Sequence, residues 1–288
     1  MRVGIIGAGA MGTLFAEYIA GTSVEYYVYE KDENRKNYLN DHLPVASSSS
    51  ELSRCDIIFF FVKSYATDNA CQDIQSFIND DTIIVTLQNG LGNCEIIYSY
   101  FPHNPLVLGT TTYGAELDSS GALVPGGEGE IIIGGRDRKS SAVIFSLLTD
   151  AGFTTRETGN PLQIIWEKAI INAGINPLGA VLNIPNGKIL ENEYSSTIQE
   201  QLVLEGSLVA DAMKLNISGE IMIERTKQVC LATALNHCSM LQDIRSRRKT
   251  EIDSINGKII EYGQVNGIPT PWNTSMYYLV KAMETNIQ

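Results

Sequence analysis

The stretch Val3-Gly4-Ile5-Ile6-Gly7-Ala8-Gly9-Ala10-Met11-Gly12 decides the fold. Its first four residues read as a buried β-strand, and residues 11–20 carry apolar side chains at helical spacing. Between them stands G-x-G-x-x-G. Gly7 permits the tight turn, Gly9 leaves the backbone open to a diphosphate, and Gly12 lets helix and strand pack closely. The helix N-terminus presents its first N–H groups to the anion. The pattern predicts a dinucleotide-binding βαβ unit, with Gly7, Ala8, Gly9, Ala10, Met11 and Gly12 at the cofactor.

Working outward, residues 24–29, 57–62 and 82–87 are β-branched or aromatic runs that read as strands, with a helix over 71–78. Alternating strands and helices predict a parallel sheet covered on both faces. Residues 106–112 and 130–133 read as short strands separated by glycine-rich turns, followed by a helix over 140–151 and a strand over 153–156. Gly159-Asn160-Pro161 punctuates the chain, so a domain boundary is expected there. Beyond it only helical periodicity remains, over 162–175, 197–215, 221–241, 251–266 and 273–284. The expected fold is α/β: a Rossmann-type dinucleotide-binding domain over 1–160, then an all-α domain over 161–288.

Composition narrows the function. The 288 residues hold 33 acidic against 21 basic side chains, and a net charge of −12 argues against nucleic acid or an anionic membrane as partner. The five cysteines contain no CxxC pair, which fits free thiols in a reducing compartment. The three histidines are scattered at no metal-ligand spacing, so no metal is expected. No signal peptide is read at the start, and the longest apolar run, 57–62, is too short to span a bilayer. The expected location is cytoplasmic.

Glu30, at the end of the second strand, is placed to bond ribose hydroxyls and repel a 2′-phosphate, which favours NAD. Lys31, Arg35 and Lys36 follow it and are placed to clamp a 2′-phosphate instead, so the sequence leaves both open. Lys63 and Asn89 end two further strands, where ligands of open parallel sheets bind. Lys168, Asn172 and Asn176 recur every fourth residue and share one face of an apolar helix. Such groups need partners when buried, and a substrate cleft supplies them. Ketone reduction needs a proton for the developing alkoxide, and Lys168 is the candidate donor. Glu251 opens another helix, where it is placed to accept a substrate hydroxyl. The preceding Arg247-Arg248-Lys249 reads equally as a solvated face.

Across these segments the chain resembles the ketopantoate reductase family. The resemblance rests on GAGAMG at 7–12, VKSYAT at 62–67, LQNG at 87–90, WEKAIINAGINP at 166–177, Cys238-Ser239-Met240 with Gln242-Asp243, and RRKTEIDSINGKII at 247–260. It implies an all-α domain like the C-terminal domain of 6-phosphogluconate dehydrogenase. It implies reduction of 2-dehydropantoate to (R)-pantoate with NADPH, on the route to pantothenate and coenzyme A. Lys168 would be general acid, and Glu251 would orient substrate and cofactor. Asn89, Asn172, Asn176, Asn186 and Ser239 would hold substrate; Lys63 and Asn89 would lie on the cofactor side. Glu30 departs from the family's basic residue at that strand end and leaves NADH open. Family members occur as monomers and dimers, so a homodimer is left open too. Rival readings are a reductase of another branched 2-keto acid, a 3-hydroxy acid dehydrogenase, and a non-catalytic NAD(P) sensor.

Overall fold

The computed structural model describes residues 1–285 and divides them into two compact units. The first comprises Met1–Gln88 and Asn93–Ile164; the second comprises Asn89–Gly92 and the chain from Ile165 onward.

The first unit is built on β1 (Arg2–Ile6), α1 (Ala10–Ala20), β2 (Glu25–Tyr29), α2 (Glu33–Asn40), β3 (Ile57–Phe60), α3 (Thr67–Ile74), β4 (Ile83–Thr86), α4 (Asn93–Tyr100) and β5 (Leu106–Thr111). It continues through β6 (Ala115–Leu117), β7 (Leu123–Pro125), β8 (Ile131–Gly135), α5 (Arg138–Asp150) and β9 (Thr155–Glu157). The main sheet runs in the order β2-β1-β3-β4-β5-β8-β9. The run Ile57-Ile58-Phe59-Phe60 shows why both faces are covered. Ile57 and Phe59 enter one core with Val3, Ile5, Phe15 and Phe153; Ile58 and Phe60 enter the other with Ile6, Cys71 and Ile84. Side chains alternate across a strand, so an uninterrupted apolar run demands apolar cover on each side.

β1 through β5 pair in parallel, but β8 runs antiparallel to β5, with Val107 opposite Gly135 and Thr111 opposite Ile131. The link between them is a small hairpin of β6 and β7, with no crossover helix to return the chain to its starting end. Helix α5 then supplies a crossover, and β9 pairs with β8 in parallel.

In the second unit, α6 (Pro161–Leu182) starts in the first unit's last residues and is followed by α7 (Glu193–Ala212), α8 (Gly219–Ala232) and α9 (Ser239–Arg245). A π-helical turn (Asp253–Gly257) leads into α10 (Lys258–Asn266) and α11 (Pro271–Thr285). The caps are written locally. Asn192 accepts the Tyr194 N–H at the start of α7, and Gly267, at φ +70°, ends α10. One apolar core joins α6, α7, α8, α10 and α11, and Leu91 belongs to it.

The helix expected over 221–241 is two helices. The carbonyls of Ala234 and Asn236 accept the backbone N–H groups of Gly187 and Asn186, at 3.1 and 2.9 Å. Those tertiary bonds draw the chain out of the helical path between α8 and α9.

Candidate active site

The glycine loop is set by backbone constraints. Gly7 stands at φ +91°, and its N–H donates to the Tyr29 carbonyl at 2.9 Å. A Cβ on Gly7 would fall 2.8 Å from the Val62 backbone nitrogen, and one on Gly12 would overlap the Gly7 carbonyl oxygen. Gly9 differs: a Cβ there would meet nothing within 4 Å. Gly9 precedes α1 with no side chain capping the helix's first N–H groups. Open space above Gly9 and an uncapped helix start are what a diphosphate requires, so these residues fit a dinucleotide.

Glu30 braces the loop. One carboxylate oxygen accepts the Ala8 N–H at 2.8 Å; the other accepts the N–H groups of Lys31 at 2.7 Å and Asp32 at 2.9 Å. The Lys31 ammonium pairs with Asp73 at 2.6 Å. Arg35 donates to the Ala8 carbonyl at 2.8 Å, to Thr13 Oγ1 at 2.7 Å and to the Gly121 carbonyl at 2.5 Å. Burial lowers the Arg35 guanidinium from its usual range. Lys63, half-buried, immediately follows the carbonyl of Val62 that accepts Gln88 Nε2 at 2.7 Å.

In the second unit, Lys168, Asn172 and Asn176 share one face of α6; the first two are half-buried and Asn176 is buried. Burial drives the Lys168 ammonium down to about 8, and the negative charge of Glu251 opposes that fall. Glu251 is itself buried. Its carbonyl accepts the N–H groups of Ser254 and Ile255, each at 3.1 Å, and the Ser254 hydroxyl at 3.0 Å. The π-helical turn follows, closed by Gly257 N–H donating to the Ile252 carbonyl at 2.9 Å. The loop Asn89–Gly92 is tied to the same segment: Leu91 N–H donates to the Ser254 carbonyl at 2.7 Å. Gly90, at φ +83°, packs so tightly on Ser254 that a Cβ would overlap its hydroxyl.

The Cys238 thiol, next to Ser239 in the chain, donates to the backbone carbonyl of Asn176 at 3.3 Å. Ser239, the first residue of α9, is exposed. Asn186, buried in a short 3₁₀ turn (Asn186–Ile189), donates to Thr233 Oγ1 at 2.9 Å, on the segment leading to Cys238. In the second unit Lys168 thus feels the charge of Glu251, the loop bearing Asn89 is tied to the turn after Glu251, and Asn186 and the Asn176 carbonyl are each bonded to the segment that leads to Ser239. Arg247, Arg248 and Lys249 are exposed; Arg248 pairs with Asp243 at 3.1 Å and Lys249 with Asp253 at 3.5 Å. They form the solvated face. Sequence reasoning passed over Asn256, which is fully buried inside the π-helical turn. Its only sequence signal is indirect, the proline at position 177 within α6.

Both units match known proteins. The family model for ketopantoate reductase PanE/ApbA matches residues 3–138, and the model for its C-terminal part matches residues 160–284. The 2-dehydropantoate 2-reductase of Pyrococcus horikoshii is 34% identical, over 99% of this chain and 98% of that protein. The enzyme of that name from Halobacterium salinarum is 31% identical, over 98% of each. Among solved structures, D-mandelate dehydrogenase with NADH and anilino(oxo)acetate superposes with a TM-score of 0.92 at 27% identity, covering 100% of this chain and 99% of that one. With two family models spanning both units, the chain belongs to the ketopantoate reductase family.

Proposed function

We propose that this protein reduces 2-dehydropantoate to (R)-pantoate with a nicotinamide dinucleotide, on the route to pantothenate and coenzyme A. The observation that carries the reading is Lys168: an ammonium whose pKa burial lowers to about 8, within electrostatic reach of the buried Glu251 carboxylate, on a helix that also bears Asn172 and Asn176. The glycine loop and Glu30 would hold the dinucleotide, with Lys63 and Asn89 toward its nicotinamide end. When bound, the nicotinamide supplies the hydride that reaches the 2-keto carbon.

The chain's own residues do the rest. Lys168 Nζ gives its proton to the oxygen that was the ketone, and is reprotonated from solvent. Glu251 keeps that ammonium charged and orients it. Asn172, Asn176, Ser239 and Asn186 hold the substrate hydroxyl and carboxylate. A general acid works best with a pKa near the working pH, which is where burial puts Lys168. Reducing conditions suit the five free cysteines, in line with a cytoplasmic site of action.

The resemblance implies NADPH. A second reading, NADH, is favoured by the braced Glu30 and by the engagement of the neighbouring cations: Lys31 with Asp73, and Arg35 with the loop itself. A 2′-phosphate would meet the Glu30 carboxylate and would have to draw Lys31 from Asp73. The structural relative with NADH bound points the same way. The expected result is tighter binding of NADH than NADPH by about tenfold, near 1.4 kcal/mol. Combining Glu30→Asn with Asp73→Asn should move the ratio toward NADPH by at least that factor. Fluorescence titration with both reduced cofactors measures it. An unchanged ratio would remove Glu30 and Asp73 as its determinants.

The substrate assignment is tested by following cofactor absorbance with 2-dehydropantoate, 2-ketoisovalerate and phenylglyoxylate in parallel. Highest kcat/KM on 2-dehydropantoate upholds it. Preference for the aryl keto acid would move the chain toward the activity for which D-mandelate dehydrogenase is named.

A further inference from the structure

Pro177 lies inside α6. Proline has no N–H, so the carbonyl four residues back, that of Ala173, loses its helical donor. Ala173 is fully buried, between Asn172 and Asn176. The missing donor is supplied from another element: Asn256 Nδ2 reaches the Ala173 carbonyl at 3.4 Å.

The same amide donates to Asn273 Oδ1 at 2.9 Å. Asn273 is held in turn by α7. Glu205 accepts its backbone N–H at 2.9 Å and its Nδ2 at 2.8 Å, and also accepts the Trp272 N–H at 2.9 Å. Asn256 and Asn273 are both fully buried. Yet Asn256 Oδ1 meets no hydrogen-bond partner among the described residues. A buried amide with an unmet acceptor is a poor choice for stability alone. Its value lies in what it joins: the α6 turn that follows Lys168, and the π-helical turn that Glu251 opens.

We propose that Asn256 is a positioning residue: by bonding Ala173 from within the π-helical turn, it sets the spacing of Glu251 from Lys168. The proposal rests on the reading of Lys168 as proton donor. It goes beyond that reading in assigning a residue that need touch neither substrate nor cofactor.

The test uses Asn256→Ala, Pro177→Ala and the double variant, with Lys168→Ala alongside. Misplacement of reacting groups by about 1 Å costs up to roughly 10²-fold, so Asn256→Ala should lower kcat by about ten- to a hundredfold. The KM for the dinucleotide, whose glycine loop lies in the other unit, should stay within about twofold on the same reasoning. The alkaline limb of the rate profile should move to lower pH, because Glu251 no longer supports the Lys168 charge. Pro177→Ala restores a backbone donor to Ala173. In the double variant the thermal midpoint should therefore recover, while kcat stays low relative to Pro177→Ala.

Two results overturn the proposal: Asn256→Ala with kcat within twofold of the parent, or a double variant that regains midpoint and kcat together. Should Asn256→Ala fail to fold, the Pro177→Ala background carries the same comparison. Lys168→Ala separates the two levels. If it stays active, the proton-donor reading fails; if it is inactive while Asn256→Ala is intact, only the positioning role fails.

Discussion

Replacing Lys168 by alanine should lower kcat on 2-dehydropantoate by roughly 10²–10⁴, the range of a lost general acid. The dinucleotide should still bind, because the glycine loop and Glu30 belong to the other unit. The pH profile gives the same group a second signature. Lys168 must be charged to donate, and its ammonium has been brought to about 8 by burial against the opposing influence of Glu251. The rate should therefore hold through neutrality and fall as pH rises past that value. Glu251→Gln removes an influence that raises the lysine, so the fall should begin at lower pH, on a reduced rate. Steady-state kinetics between pH 6 and roughly 10 measure the alkaline fall in both enzymes. A Lys168→Ala enzyme with parental turnover would end the proposed mechanism.

The second large effect is expected at the glycine loop, where two substitutions separate packing from ligand binding. A methyl group at Gly9 meets no protein atom, so Gly9→Ala should keep the parental thermal midpoint. It should nevertheless weaken dinucleotide binding by about tenfold to a hundredfold, since the added carbon takes the space the diphosphate needs. A methyl group at Gly12 runs into the Gly7 carbonyl, which is backbone and cannot rotate away. Gly12→Ala should therefore lose both midpoint and binding, with affinity down by roughly 10²-fold or more, about 2.8 kcal/mol. Cofactor fluorescence titration and thermal melts distinguish the pair. Gly9→Ala with parental affinity would show that the loop does not cradle a diphosphate.

Much of the scaffold was legible because its causes are local. Gly7 and Gly12 are required by backbone geometry within their own turn, and the apolar run at 57–60 announces a strand covered on both sides. Lys168, Asn172 and Asn176 declare a shared face by spacing alone. What escaped depends on partners far along the chain. The reversal of β8 follows from the hairpin that replaces a crossover, and pairing direction leaves little trace in a short apolar strand. The break between α8 and α9 is imposed by Asn186 and Gly187. The polar helix α2 had no apolar periodicity to reveal it. The pairing of Lys31 with Asp73, on which the proposed cofactor preference rests, joins the segment after β2 to α3. Asn256 answers a vacancy created by Pro177, and only the fold shows that the two match.

The π-helical turn before α10 holds one residue more than an α-helical path would need. Each residue of an α-helix advances the chain by about 100° around the axis. Removing a residue from unbroken α winding would swing everything upstream by that angle, whereas this turn can give up its extra residue and close to ordinary winding with its flanks still in register. Glu251 sits just upstream. The turn therefore buffers the aim of its carboxylate against a one-residue change in chain length at this point.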